Sequence, residues 1–149
     1  MTLTAWVNPA AFTGWETVVL KEHGATALAY ALYAQDGGSL QGGFDAAAGT
    51  VRAGPADHAV RSTSPLPLNA WTHLATTYDG AFQRIYINGA LAASRAQSGS
   101  IAVSNGALRV GGNTSWADEF FEGAIDEVRV YNRALTDAEI AADMKTPLP

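Results

Sequence analysis

The sequence predicts an all-β domain, a sandwich of two antiparallel sheets with one short C-terminal helix. Roughly ten short runs of alternating apolar and polar residues recur at 8–12-residue intervals, which is typical of β-sandwiches. Two of the intervening turns, Asp79-Gly80 and Asn88-Gly89, tolerate the positive φ that tight hairpins require. Helical periodicity appears only after residue 134. The first two observations predict the sheets, and the third restricts the helix to the C-terminus.

The expected strands follow from alternation and from the turn residues that bound it. The clearest is a three-strand meander that starts at Thr72 and runs to about Arg95. Residues 45–57 are rich in Ala, Gly and Pro and carry little strand signal. In chain order, the predicted strands are Thr2–Val7, Thr17–Glu22, Leu28–Ala34, Leu40–Phe44, His58–Thr63, Thr72–Tyr78, Phe82–Ile87, the third meander strand, Ile101–Val103, Leu108–Val110 and Ala124–Tyr131.

A helix is predicted over about residues 136–144. Thr136 and Glu139 have the spacing of a capping box, in which each side chain bonds the backbone N–H of the other residue. Leu135 and Ile140 occupy the positions of a hydrophobic staple across this N-terminus. Pro147 prevents the helix from continuing.

Length and composition favour one domain, residues 1–149, with a substantial core. Of the 149 residues, 48% are hydrophobic and 15% charged. The net charge of −5 comes with no Lys/Arg cluster, so nucleic acid is not an expected partner. No apolar run is long enough to span a bilayer, so no membrane association is expected. The absence of cysteine excludes disulfides and thiolate metal sites.

Several blocks of sequence resemble laminin G-like domains of the concanavalin A-like lectin/glucanase jelly-roll family. They keep the family's order from residue 4 to about 144, nearly the whole chain. The blocks are Thr4-Ala5-Trp6-Val7-Asn8-Pro9, Leu68-Asn69-Ala70-Trp71-Thr72-His73-Leu74-Ala75 with Tyr78-Asp79-Gly80, Arg84-Ile85-Tyr86-Ile87-Asn88-Gly89, and the segment from Gly123 to Leu135.

The resemblance implies a recognition or accessory module from a larger secreted or cell-surface protein. It implies a carbohydrate- or protein-binding role, commonly with a structural Ca²⁺, and does not name a ligand. Members usually carry one or two further strands before the strand of Trp6. We therefore expect an open sheet edge at Ala124–Tyr131, filled by a homodimer contact or strand exchange or by a separate N-terminal segment. The alternative is that residues 45–57 fold over this edge.

An enzyme is the less favoured interpretation, although related jelly rolls include hydrolases and lyases. Glu122 and Asp126 are four residues apart, or roughly 13 Å along a strand. Glycosidase carboxylates lie about 5–9.5 Å apart, so this spacing argues against hydrolysis. A lyase pair such as Tyr30 with His58 has no motif behind it. The remaining alternative is a structural or assembly domain that makes protein contacts only.

Candidate glycan-binding residues lie mainly in the loop that follows the Leu108–Val110 strand. Trp116 is the first choice, because an aromatic side chain in a loop is often exposed for recognition. Asn113, Asp118 and Glu119 of the same loop offer groups for sugar hydroxyls. Trp15 is the second aromatic candidate. By contrast, the remaining two tryptophans, Trp6 and Trp71, lie within strand patterns and are expected in the core.

Asp126 is the candidate metal ligand. Strict alternation along Ala124–Tyr131 places it on the same face as Val128 and Val130. A carboxylate on an apolar face is costly unless it is paired or bound to a cation. In the resembled family the matching Asp lies near a structural Ca²⁺, and oxygen ligands suit that ion. The alternative is a carboxylate that caps loop amides.

Overall fold

The computed structural model describes residues 1–37 and 46–147, which form two five-stranded antiparallel sheets and one helix. The predicted strand Leu40–Phe44 lies outside the described residues. The elements are β1 Thr2–Pro9, β2 Trp15–Glu22, β3 Leu28–Asp36, β4 Ala48–Ala53, β5 Ala56–Arg61, β6 Thr72–Tyr78, β7 Phe82–Ile87, β8 Ala90–Ala96, β9 Leu108–Val110, β10 Gly123–Tyr131 and α1 Asp137–Asp143.

The two sheets stack face to face, and the contacts between them define which strands lie opposite each other. Sheet A has the strand order β10-β1-β6-β7-β8, and sheet B has the order β5-β4-β3-β2-β9. Across the interface β8 and β7 contact β5, whereas β1 contacts β2 and β3. The edge strands β9 and β10 therefore lie on the same side of the sandwich. The all-β sandwich with a short C-terminal helix is confirmed.

The core between the sheets is built from aliphatic side chains of the inner faces. Leu3, Val19 and Leu74 are fully buried there. The sheets approach each other closely at Gly49, where a Cβ atom would lie 1.9 Å from Thr76 Oγ1. Fully burying a side chain such as Leu stabilises the fold by about 1.5–3 kcal/mol, so this layer supplies much of the stability.

Residues 46–57 contain strand structure that the sequence analysis did not predict. Ala48–Ala53 forms β4 and Ala56–Arg61 forms β5, joined at Gly54-Pro55. The expectation of little strand structure there was wrong, and at Gly49 the small residue is needed because the strand lies close against Thr76 of sheet A. Conversely, the strand predicted at Ile101–Val103 is not formed. Only an isolated β-bridge between Ile101 and Ala53 is present there.

The helix α1 packs on the outer face of sheet A. Thr136 and Glu139 form the capping box, as predicted. Leu135 and Ile140 are buried in one cluster with side chains of sheet A. The helix end is attached by Asp143, whose carboxylate accepts a hydrogen bond from the Tyr131 hydroxyl. In the described part of the chain, this helix is neither long nor apolar enough to cross a membrane.

His73 lies beneath the end of this helix. It is 1% exposed, and its Nε2 is 3.7 Å from Asp143 Oδ2, too far for a hydrogen bond. Burial lowers the pKa of His73, and the nearby Asp143 carboxylate only partly opposes this effect. The neutral imidazole therefore predominates near pH 7.

A bulge in β10 reverses the face that was assigned to Asp126. Thr4 pairs with Arg129 but Trp6 pairs with Asp126, so two residues of β10 lie opposite Ala5. Glu127 takes a φ of 54° at this point. Because paired residues share a face, Asp126 lies with Trp6 on the outer face. The expectation that Asp126 shares an apolar face was wrong.

Candidate functional site

A cavity of about 550 Å³ lies on the outer face of sheet B. Its floor includes Leu28 and Tyr33, which belong to a buried cluster separate from the core between the sheets. Trp15 and Trp116 pack against this cluster and also line the cavity. We call this space the tryptophan cavity. Its volume is within the range of about 300–1,000 Å³ that is usual for small-ligand sites.

The strands hold Trp15 rigidly. Its ring meets Tyr33 edge-on, with centroids 5.0 Å apart and an angle of 70° between the planes. Gly37, at a φ of 68°, approaches so closely that a Cβ atom there would lie 2.4 Å from the Trp15 Nε1 atom. A glycine is therefore required at this position both for its backbone conformation and for space.

Trp116 and Glu119 are positioned by Asn113, which is 5% exposed. Asn113 Oδ1 accepts a hydrogen bond from the Trp116 backbone N–H at 2.8 Å. Asn113 Nδ2 donates to Glu119 Oε2 at 2.9 Å and to Thr17 Oγ1 at 3.3 Å. One buried amide thus connects the loop's aromatic ring and its carboxylate to β2.

Two buried glutamates of β2 fix the ends of this loop. Glu22 Oε1 accepts hydrogen bonds from the Thr114 hydroxyl at 2.7 Å and from the Thr114 backbone N–H at 2.9 Å. These bonds hold the pKa of Glu22 below its usual range. Glu16 Oε2 accepts from the Glu122 backbone N–H at 3.0 Å. The loop is therefore preorganised before any ligand arrives.

Charged side chains surround the cavity, and most have a partner. Arg61 contacts Asp36 through its Nε atom. Asp57, another lining residue, accepts from Arg52 Nη1 at 2.8 Å. On the side of β8, Arg95 Nη1 donates to the Ala59 carbonyl at 2.9 Å.

Glu119 is the acidic group on the side of the two tryptophans. It lines the cavity and is only partly exposed. Burial raises the pKa of its carboxyl, while the hydrogen bond from Asn113 acts in the opposite direction. Tyr33 shares this environment, where desolvation and the neighbouring carboxylates raise the pKa of its phenol. A hydrogen-bonding group in such a desolvated site interacts more strongly than it would in water.

The structure brings together three of the five residues predicted for ligand binding. Trp15, Trp116 and Glu119 line the tryptophan cavity. Asn113 is buried behind the loop, where it positions Trp116 and Glu119. Asp118 is exposed, has a φ of 69°, and borders a separate cavity of about 360 Å³.

Sequence reasoning missed the wall of the cavity opposite the loop. Asp57 and Arg61 come from β5, and Arg95 comes from β8. No local motif marks these residues, since strand pairing and sheet stacking bring them to the cavity. The sequence feature that could have grouped the β5 residues is strand alternation, because Asp57, Ala59 and Arg61 share one face of β5.

The two tryptophans expected in the core lie elsewhere. Trp71 is 48% exposed, so its assignment to the core was wrong. Trp6 is partly buried on the outer face of sheet A, where its ring is 5.6 Å from that of His73. Trp71 precedes the paired part of β6, which explains why strand alternation failed to place it.

Asp126, the candidate calcium ligand, lies on the outer face of β10. Its side chain is exposed, and Oδ1 accepts a hydrogen bond from the adjacent Glu127 N–H. Within residues 1–37 and 46–147, no group of three or more His, Asp or Glu side chains is positioned to hold a metal. Calcium at Asp126 stays a prediction. A calcium-dependent rise in melting temperature that Asp126→Asn abolishes would support it, and no shift would contradict it.

The residues considered for catalysis do not meet in the tryptophan cavity. Tyr30 packs against the core between the sheets. His58 shares that inner face, because Tyr30 pairs with Val51 and Val51 pairs with His58.

Two stacked antiparallel five-stranded sheets with one short helix define the class of all-β sandwich domains. Within that class, the chain belongs to the concanavalin A-like lectin/glucanases superfamily. The laminin G-type model of this family matches residues 1–141. The family resemblance inferred from the sequence is thereby confirmed.

One similar solved structure is described as carbohydrate-binding, and another contains a bound oligosaccharide. A putative carbohydrate-binding protein from Bacteroides ovatus is 27% identical, with a TM-score of 0.75 over 94% of this chain and 39% of that chain. Domain 4 of an extracellular arabinanase from Geobacillus stearothermophilus, solved with arabinotriose, is 26% identical. Its TM-score is 0.78 over 96% of this chain and 65% of that chain.

A similar stretch also occurs in a large curated protein. Pappalysin-1 of Mus musculus is 37% identical over 89 residues, which is 53% of this chain. The match covers 5% of pappalysin-1. The chain therefore corresponds to a small part of that protein and to less than two thirds of either bacterial structure.

Proposed function

We propose that this domain is a non-catalytic glycan-binding module of a larger secreted or cell-surface protein. The observation that carries the proposal is the tryptophan cavity, in which two indoles fixed by the fold flank a space with polar groups on its walls. Its similarity to domain 4 of the arabinanase, which was solved with arabinotriose, supports the proposal.

The chemistry of the cavity suits a sugar ring. The C–H faces of a pyranose or furanose stack on an indole, and stacking on one aromatic side chain contributes about 1–2 kcal/mol. Glu119, Asp57 and Arg95 provide acceptors and donors for hydroxyl groups. Because Asn113 and the β2 glutamates hold the loop in advance, little ordering cost opposes binding.

The non-catalytic assignment is supported by the partners of the acidic groups. Asp57 is paired with Arg52, and Glu119 is hydrogen-bonded to Asn113. No histidine among the described residues lines the cavity. A glycosidase needs two carboxylates about 5–9.5 Å apart. Asp57 lies on β5, whereas Glu119 is linked through Asn113 to Thr17 of β2, three strand spacings or about 14 Å away.

A glycan array followed by calorimetry tests the proposal. Trp116→Ala and Trp15→Ala should each weaken binding about tenfold or more, which corresponds to roughly 1.4 kcal/mol. Trp71→Ala is the matched control, because Trp71 is exposed outside the cavity and its loss should leave affinity unchanged. Unchanged affinity in both cavity variants, or a large fall in melting temperature with normal binding, would contradict the proposal.

A second candidate function is assembly through the side of the sandwich formed by β9 and β10. Pairing of Val110 with Val19 and of Val130 with Leu3 turns both edge valines toward the core. They are nevertheless 54% and 45% exposed, and Leu108 is 47% exposed. Neither edge has a further partner strand among the described residues. We call this surface the edge opening.

We propose a second copy of the chain as the occupant of the edge opening, by edge pairing or strand exchange. Sedimentation should show a dimer that Val130→Lys dissociates. Val103→Lys is the control, since Val103 is 89% exposed and lies outside both edge strands. If the chain is a strict monomer that binds an extended segment of the parent protein, that segment, and not a second copy, occupies the edge opening. A monomer that captures neither would end the assembly hypothesis.

A further inference from the structure

We propose that the tryptophan cavity selects uncharged glycans and rejects glycans that carry a carboxylate on the stacked sugar. This inference rests on the proposed glycan-binding function and adds the chemical class of the ligand. It comes from the arrangement of charge around the cavity.

The charges of the side chains that line the tryptophan cavity cancel. Arg61 and Arg95 contribute two positive charges, and Asp57 and Glu119 contribute two negative ones, so the lining side chains sum to zero. A site built to capture an anion normally presents unmatched donors, often a bidentate arginine. The cavity as a whole offers no net attraction for an anion.

Two of these four charged side chains already have an oppositely charged partner. Arg61 contacts Asp36, whose side chain is nearly completely buried, and Asp57 pairs with Arg52 at 2.8 Å. After these pairs are removed, Arg95 and Glu119 remain. Their local fields, rather than the sum, decide what a bound sugar meets.

The two remaining charged side chains, Arg95 and Glu119, belong to different elements of the fold. Arg95 belongs to β8, which stacks on β5, whereas Trp15 begins β2. Sheet B has the order β5-β4-β3-β2, so β5 and β2 are three strand spacings, or about 14 Å, apart. Glu119 lies in the same loop as Trp116. A sugar stacked on the indoles therefore meets the Glu119 carboxylate before any unpaired arginine.

The Glu119 carboxylate can accept hydrogen bonds from sugar hydroxyls, but it repels a second carboxylate. Glu119 Oε2 accepts from Asn113 Nδ2, which leaves Oε1 to accept from sugar hydroxyls. A second carboxylate brought beside this partly desolvated group would be repelled. Glu119 is only partly exposed, and this burial, which also raises the pKa of its carboxyl, makes a further negative charge beside it unfavourable. The carboxylate therefore acts both as a hydroxyl acceptor and as a filter against acidic sugars.

The test is an array and calorimetry on matched oligosaccharides, in which each neutral glycan is paired with a uronic or sialylated counterpart of the same linkage. Wild-type protein should bind the neutral member at least tenfold more tightly. Glu119→Gln keeps the shape of the side chain and removes its charge, so it should reduce this discrimination at least several-fold. Glu122→Gln is the control, because Glu122 is exposed outside the cavity.

The outcomes separate the inference from the function on which it rests. Tighter binding of the acidic members through Trp15 and Trp116 would overturn the charge filter and leave glycan binding intact. Neutral selectivity that Glu119→Gln does not alter would overturn the role of Glu119. If neither class of glycan binds, the proposed function and the inference both fail.

Discussion

Gly49→Ala should lower the stability of the sandwich by about 2–4 kcal/mol. The added Cβ would lie 1.9 Å from Thr76 Oγ1 and 2.5 Å from Thr76 Cβ. Overpacking of a tight core costs about 1–3 kcal/mol. Rotating Thr76 away would also break its 3.0 Å hydrogen bond to the Arg84 carbonyl, worth about 1 kcal/mol. The resulting fall in melting temperature should be roughly 5–15 °C.

Thermal and urea unfolding with a matched variant decides this prediction. Gly14→Ala is the control, since a Cβ at Gly14 would meet nothing within 4 Å. Its stability should change by less than about 0.5 kcal/mol. Adding Thr76→Gly to Gly49→Ala should relieve the clash, with a coupling energy of about 1 kcal/mol or more. Equal stability of the two alanine variants would refute the packing argument.

Three further substitutions test the loop, the helix and the buried histidine. Asn113→Ala removes the donor to Glu119 and the acceptor for Trp116, so it should cost about 1–3 kcal/mol in chemical denaturation and weaken glycan binding. Thr136→Ala should cost about 1 kcal/mol in the same assay, by opening the capping box. His73 has a lowered pKa in the folded state, so the unfolded state binds the proton more readily. Melting temperature should therefore fall as the pH drops through about 6.5, and His73→Asn should flatten that fall.

Local patterns were sufficient to predict most of the fold. The hairpin turns at Asp79-Gly80 and Asn88-Gly89 and the capping box at Thr136 are encoded by neighbouring residues, and all three are present. The β4 strand was missed for a physical reason. Its second residue, Gly49, is required by the narrow gap to sheet A, and that gap is not visible in local sequence.

The candidate site was only partly predictable because it is assembled from distant segments. Trp116 and Glu119 share a loop, and its composition identified them. Arg61 and Arg95 reach the cavity through strand pairing and sheet stacking, which no local signal reveals. The face of Asp126 was misassigned because the bulge beside it shifts the alternation by one residue.

Glycan binding between Trp15 and Trp116 can be followed directly through the indole N–H signals of the tryptophans. The chain has four tryptophans, so a ¹H–¹⁵N spectrum should show four indole signals. Titration with a neutral oligosaccharide should shift the signals of Trp15 and Trp116 and leave those of Trp6 and Trp71 in place. Binding that shifts the signal of Trp71 alone, or that leaves the signals of both cavity indoles unchanged, would contradict glycan binding in the tryptophan cavity.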